Sequence, residues 1–261
     1  MEELSNKLDH IGSNILFCNV QGLYNHIDLT KPKILMDMAL FNDAFCICLC
    51  ETHLNDNIID SELTNEGWTI VRSDRKGRIC GGTAIYINEN VPISEKFVYS
   101  NSVCDAVGIY IPLSDLIIVT VYRPPSATYE KFGECMKSIT KWLNDIIDTN
   151  GHIPKFFING DFNFPTMGNW NEMVVTKFVD SLIKSYDRGN QLSVINNQIK
   201  ILYEFTEMWL LTQKIHENTR IQNTLDLFFT NDENSISNSE IIRNISFSDH
   251  NLVKLYTNIT F

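Results

Sequence analysis

Residues 157–166, FINGDFNFPT, hold side chains suited to phosphate chemistry at a spacing that can use them. The apolar run 156–158 stops at Asn159-Gly160 and is followed by Asp161 and Asn163. Residues two apart on an extended chain point to the same side, so a strand ending here presents a carboxylate and an amide together. Open α/β sheets place their chemistry at such strand ends. A carboxylate and an amide held there can align a water for attack on a phosphate, or bind a metal ion. An Asx-rich turn after a strand has the same composition, so the choice between the two depends on the rest of the chain.

Further polar residues sit where apolar runs end. Asn19 follows Ile15-Leu16-Phe17-Cys18, Glu51 follows residues 44–50, and Tyr122-Arg123-Pro124-Pro125 follows residues 116–121. Ser248-Asp249-His250 precedes the last apolar stretch. Singly, each has a structural explanation: Glu51 could cap a helix, the Tyr-Arg-Pro-Pro run could stop a strand, and Ser248-Asp249-His250 could be a polar turn. Asp226 is different, because it lies inside the apolar run Thr224-Leu225-Asp226-Leu227-Phe228-Phe229. A buried carboxylate needs a partner. His250 would provide one, and Asp226 would then fix its tautomer and favour its protonated form.

Collected at one edge, these groups suit phosphoryl chemistry. Glu51 and Asp249 are hard oxygen ligands fit for Mg²⁺. Asp161 could align or deprotonate water with Asn163 orienting it, while Tyr122, Asn19 and His250 could donate to phosphate oxygens. The sequence holds no H-E-x-x-H and no cysteine–histidine set, which argues against zinc, and no G-x-x-x-x-G-K-[ST] loop, which argues against a P-loop nucleotidase.

Positioning these groups needs a sheet. Strand patterns recur at 14–20, 44–50, 68–73, 83–88, 103–111, 116–122, 155–159, 224–230 and 252–259. Helical stripes fall at Ile34, Leu35, Met38, Ala39 and Phe41 after Pro32, and at Tyr129, Phe132, Met136, Ile139, Leu143, Ile146 and Ile147. Residues 173–186 suggest a third helix, and 189–213 read as loop plus one short helix. The alternation predicts an α/β sandwich of three or four layers, one domain spanning 1–261.

Composition sets the outer bounds. The chain has 261 residues, 44% hydrophobic and 11% aromatic, and a net charge of -11, which argues against a protein that coats polyanions indiscriminately. A nuclease is still compatible, since metal-binding carboxylates add acid and DNA needs only a local basic strip. Arg72, Arg75, Lys76 and Arg78 are the candidate strip, with a solvated turn as the alternative. No apolar stretch approaches the ~20 residues that span a bilayer, and the start MEELSNKLDH does not read as a secretory signal. Seven cysteines, with Cys46, Cys48 and Cys50 on one strand face, are expected to be buried reduced thiols of an intracellular, reducing compartment. The sequons at Asn244 and Asn258 are read as chance matches.

The ordered series resembles the endonuclease/exonuclease/phosphatase superfamily, and within it the AP-endonuclease-like domain of non-LTR retrotransposon polyproteins. The matching pieces are Asn19-Val20-Gln21-Gly22-Leu23, Cys50-Glu51-Thr52-His53-Leu54, Arg72 through Gly81-Gly82-Thr83-Ala84-Ile85-Tyr86-Ile87, Val121-Tyr122-Arg123-Pro124-Pro125, Asn159-Gly160-Asp161-Phe162-Asn163, Asn218-Thr219-Arg220 with Thr224-Leu225-Asp226-Leu227, and Ser248-Asp249-His250. The resemblance implies a DNase I-like, two-sheet β-sandwich flanked by helices and a Mg²⁺-dependent phosphodiesterase, with Mn²⁺ as a substitute. It implies Glu51 as the metal ligand, supported by Asn19, with Asp249 near the metal. Asp161 is implied as the water-activating group, Asn163 as its neighbour, Tyr122 as a phosphate contact, and Asp226 with His250 as orienting carboxylate and imidazole. Thr219, Ser248, Arg75, Arg78 and Arg123 are expected as DNA contacts.

The implied reaction nicks one strand of double-stranded DNA and leaves a 3′-hydroxyl that primes reverse transcription. The implied partner is a reverse transcriptase domain of a nuclear polyprotein, from which this chain would be an excised domain or a truncated or domesticated descendant. An abasic-site nuclease, a phosphatase of the same fold and an inert binding module are the alternatives.

Overall fold

The structure, a computed structural model, describes residues 11–24, 30–77, 80–164 and 194–261. Twelve strands form two six-stranded mixed sheets. The first sheet holds β1 (Asn14–Asn19), β2 (Ala44–Cys50), β3 (Trp68–Ser73), β4 (Thr83–Asn88), β11 (Ile236–Ile242) and β12 (Leu252–Thr257), in the order β11-β12-β1-β2-β4-β3. The second holds β5 (Glu95–Ser100), β6 (Asp105–Ile111), β7 (Leu116–Tyr122), β8 (Lys155–Asp161), β9 (Thr212–Gln213) and β10 (Asp226–Thr230), in the order β5-β6-β7-β8-β10-β9.

The inner faces meet in one apolar layer. Phe17, Cys46, Cys48, Ile85 and Val253 of the first sheet pack on Val107, Ile109, Ile118, Phe157 and Phe228 of the second. Cys46, Cys48 and Cys50 share this inner face as their alternation predicts, and all three are free thiols. Cys18, Cys104 and Cys135 are also buried and free, whereas Cys80 is exposed.

Helices cover the outer faces. Helix α1 (Thr30–Phe41) lies on the first sheet. Helices α2 (Tyr129–Asn150) and α3 (Val194–Met208) lie on the second. The order is helix, sheet, sheet, helix: four layers, and the DNase I-like class expected. In α2, Phe132, Met136, Ile139, Leu143 and Ile146 are buried, Thr128 caps the first turn by accepting from the Lys131 amide, and Gly151 ends it in a left-handed conformation. In α1 the buried set is Pro32, Leu35, Met36 and Ala39, while Phe41 is 88% exposed, so the stripe drawn through Ile34 and Phe41 is off by part of a turn. Helix α3 runs for 15 residues, longer than the short helix expected there. The helix expected over 173–186 lies outside the described residues.

Two parallel pairs position the site. β1 pairs with β2, and β7 with β8, so Asn19, Cys50, Tyr122 and Asp161 all close their strands at the same edge. β10 runs antiparallel to β8 with Asp226 directly opposite Asp161. β12 starts beside the end of β1, which brings residue 250 to that edge as well.

Candidate active site

Asp161 sits at the end of β8 and is fully buried. Gly160 permits this turn, because a Cβ there would lie 1.9 Å from the Val121 carbonyl oxygen on the paired strand. Asn163 adopts φ 51°, a left-handed conformation uncommon for a residue with a side chain, and its amide donates to Asp161 Oδ1 at 3.0 Å. The amide side chain does not point beside the carboxylate as an unbroken strand would place it. Asn163 Nδ2 turns back and donates to the Arg123 carbonyl at 3.0 Å.

Asn19 ties the two sheets together at this edge. Its Nδ2 donates to Asp161 Oδ2 at 2.8 Å and to Glu51 Oε1 at 2.9 Å, and its Oδ1 accepts the Gln21 amide at 3.1 Å. Glu51 follows β2 with φ 53°, and no helix starts there for it to cap. His53 Nε2 lies 3.4 Å from Glu51 Oε2, so both carboxylate oxygens have neighbours. Burial disfavours the Glu51 anion, but hydrogen bonds from His53, Asn19 and Tyr122 outweigh it and hold its carboxyl at about 2. Glu51 therefore stays charged at every physiological pH. Burial, then Glu51 and Asp161, push the Tyr122 phenol well above its usual range, which keeps it a proton donor.

His250 completes the row. Its Nδ1 lies 2.9 Å from Asp226 Oδ2, as the apolar setting of Asp226 required. Burial opposes the charged imidazole, yet Asp226 and Asp161 more than compensate and raise its pKa. The Asp226 contact on Nδ1 leaves Nε2 as the ring nitrogen that faces the site. Nε2 is buried without a hydrogen-bond partner, 3.9 Å from Asp161 Oδ2 and 4.0 Å from Asp249 Oδ1. A buried polar nitrogen without a partner is costly, and a ligand atom would satisfy it. Burial and the facing Asp226 push the Asp161 carboxyl up to about 8, against the pull of His250 and Asn19.

This edge fits a divalent cation. Asp161, Asp226 and His250 offer ligand atoms within 4.8 Å of one another, with Glu51 joined to Asp161 through Asn19. The Asp226 Oδ1 is buried without a partner. Hard carboxylate oxygens suit Mg²⁺ or Mn²⁺, and a raised carboxyl pKa beside further carboxylates marks a place short of positive charge.

Other expected site residues have different tasks. Asp249 is half-exposed at the rim, where Arg220 donates through Nη2 at 2.6 Å and Nε at 3.1 Å and Gln21 Nε2 donates at 2.6 Å. It is a carboxylate already neutralised by an arginine. Thr219 is buried, and its Oγ1 accepts the amides of Leu225 and Asp226, both at 3.1 Å, so it anchors the start of β10 rather than facing a ligand. Ser248 Oγ donates to the Asn19 carbonyl at 2.6 Å and accepts the His250 amide at 3.1 Å.

Among the described residues of the basic strip, Lys76 is exposed, whereas Arg75 and Arg72 turn inward onto acidic partners. Arg75 is buried, pairs with Asp105 and lies over the Tyr122 ring at 5.2 Å. Arg72 reaches Asp60, Asp74 and the Ile58 carbonyl. Arg123 is buried beneath the Asp161 turn. Arg75 and Arg123 thus present no charge to DNA here, because the apolar layers around them take up the guanidinium as an internal donor. Arg78 lies outside the described residues. Sequence reasoning assigned no role to His53, Arg220 or Gln21, although each lies two positions or fewer from a residue singled out.

Comparisons with known proteins agree with this geometry. The fold matches an AP endonuclease from Archaeoglobus fulgidus with a TM-score of 0.64 and 12% identity, covering 94% of this chain and 99% of that one. It matches the 3′-5′ exonuclease NExo from Neisseria meningitidis with a TM-score of 0.63 and 14% identity over 94% and 99% of the two chains. It also matches the endonuclease domain of TRAS1, a telomere-specific non-LTR retrotransposon, with a TM-score of 0.61 and 14% identity over 95% and 99%. No curated protein matches the sequence. Residues 116–254, more than half of the chain, match the family described as endonuclease-reverse transcriptase, which is divalent-metal dependent. The chain belongs to that family and is a nuclease of the phosphodiesterase class.

Proposed function

We propose that this chain is a Mg²⁺-dependent DNA endonuclease that nicks one strand of double-stranded DNA and leaves a 3′-hydroxyl to prime reverse transcription, working in the nucleus beside a reverse transcriptase domain. The observation that carries the reading is the continuous row Glu51–Asn19–Asp161–His250–Asp226, with a buried, unpartnered Nε2 at its centre. A divalent cation held by Glu51, with Asp161 beside it, would supply positive charge for the non-bridging phosphate oxygens, and Mn²⁺ would serve as well.

The protein's own groups supply the rest. Asp161 takes or aligns the proton of an attacking water, and Asn19 and the Asn163 amide hold its carboxylate in place. Asp226 holds His250 so that Nε2–H faces the developing charge on a phosphate oxygen. Tyr122 stays protonated and donates beside Glu51. Priming chemistry requires cleavage on the 3′-oxygen side, so that the phosphate leaves on the 5′ end of the downstream fragment.

The test is relaxation of supercoiled plasmid in Mg²⁺, followed by extension of the nicked product with a DNA polymerase. The expected product is an open circle whose nicks extend directly. Products that need phosphatase treatment before extension, or equal nicking by Asp161→Ala, would refute the proposal. Abasic duplex and inositol phosphates run in parallel distinguish the repair and phosphatase alternatives, which share the same core.

A further inference from the structure

Arg123 heads the list of bulky, fully buried side chains among the described residues, and it surrounds the Asp161 turn with hydrogen bonds. Its amide donates to the Asp161 carbonyl at 2.9 Å, and its own carbonyl accepts from Asn163 Nδ2 at 3.0 Å. Nη1 donates to the Phe162 carbonyl at 2.8 Å and to the Asn163 carbonyl at 3.2 Å. Nε donates to Gln198 Oε1 on α3 at 2.5 Å, and Gln198 Nε2 in turn donates to the Ala127 carbonyl at 2.7 Å. The guanidinium face lies 4.1 Å from the Phe164 ring centroid. Among the described residues, all of these partners are neutral.

The arrangement has a purpose that a surface contact would not. Asn163 sits at φ 51°, a left-handed conformation that asparagine tolerates better than most residues with a side chain but that neighbours must still hold in place. That conformation aims the Asn163 amide at Asp161 Oδ1. We propose that Arg123 is a positioning residue for the active site: its Nη1 bridges the Phe162 and Asn163 carbonyls while Nε is held by Gln198, which sets the left-handed turn and so delivers the Asn163 N–H to the catalytic carboxylate. Gln198 fixes the fork from the α3 side. Lysine has the charge but a single nitrogen, and cannot hold the two carbonyls and Gln198 at their separate positions. The proposal rests on the reading of Asp161 as the water-activating group.

The experiment compares Arg123→Lys and Arg123→Ala with the wild-type chain by two measurements. One is amide hydrogen exchange in metal-free protein; the other is steady-state plasmid nicking in Mg²⁺. Arg123→Lys is expected to expose the Asn163 amide to exchange while the amides of β7 and β8 stay protected. Its kcat is expected to fall about 100-fold, as displacement of a catalytic group does, with KM held within about twofold. Guanidinium added to Arg123→Ala restores part of the rate, and ammonium does not. Wild-type protection at Asn163 together with wild-type kcat in Arg123→Lys would overturn the proposal. So would exchange that rises equally across β7 and β8, since the loss would then be one of global stability. A wild-type chain that fails to nick DNA would refute the functional reading alone, because the exchange measurement still decides whether Arg123 sets the turn.

Discussion

Asp161 is the residue whose surroundings are most unlike those of an ordinary carboxylate. It faces Asp226 across a strand pair, both side chains buried, and its carboxyl is pushed up to about 8. A carboxyl raised in the folded state keeps a proton that the unfolded chain releases, so its contribution to stability is complete at low pH and is lost as pH rises through the folded value. Metal-free protein is therefore expected to lose stability between about pH 4, an ordinary aspartate value, and pH 8. Urea denaturation at several pH values checks this, and Asp161→Asn should flatten that slope. The same variant should nick DNA slower by about 10³-fold or more. Arg75 makes the opposite kind of prediction. Arg75→Ala leaves Asp105 buried without its partner and should cost about 3–5 kcal/mol in chemical denaturation. Retained stability with a reduced salt dependence of DNA binding would return Arg75 to the surface role first expected. The sequence could reveal Asp226 with His250, because a carboxylate inside an apolar strand demands a partner. It could not reveal the fate of Arg75, because a basic residue in a turn looks the same whether it faces solvent or folds inward onto an aspartate thirty residues away.

Among the elements, β8 and β10 carry the closest tolerances. Gly160→Ala would drive a Cβ to within 1.9 Å of the Val121 carbonyl oxygen on β7, so the strands must separate. The expected loss is more than ~3 kcal/mol, read from the denaturation midpoint. Thr219→Val, which preserves shape, should cost about 1–3 kcal/mol because two buried amides at the start of β10 lose their acceptor. Eight of the nine legible strand patterns lie in sheet interiors, where apolar residues dominate, and the ninth, the edge strand β3, still buries most of its residues. β5, β9 and β11 escaped notice for the converse reason. β9 is two residues long, and all three are edge strands of mixed polarity: β5 exposes Glu95, Lys96 and Val98, and β11 reads Ile-Ser-Asn-Ser-Glu-Ile-Ile. Helix α1 illustrates the limit of periodicity. Two stripes fit its sequence equally well, and only docking on the first sheet selects Leu35, Met36 and Ala39 over Ile34 and Phe41.

For the molecule as a whole, the acidic excess and the unpaired edge predict that cation binding and folding are linked. Mg²⁺ at about 100 times its Kd should stabilise the native state by about 2.7 kcal/mol, seen as a higher thermal midpoint. Glu51→Gln should remove most of that increment. Calcium or sodium at equal ionic strength producing the same rise in wild type and Glu51→Gln would show screening and not a site. The global arrangement was legible from the order of motifs, since strand ends with polar residues imply a shared edge. The seam between sheets was not, because no local pattern states that Asn19 and Asp161, 142 residues apart, will touch. Chain order adds a last consequence. The first sheet takes its strands from both ends of the chain, and the second from the middle. His250 precedes β12, so it reaches the edge only when that strand pairs with β1, whereas Glu51 and Asp161 follow strands that come earlier in the chain. A chain truncated before residue 250 is therefore expected to assemble the carboxylate edge without the imidazole that Asp226 holds.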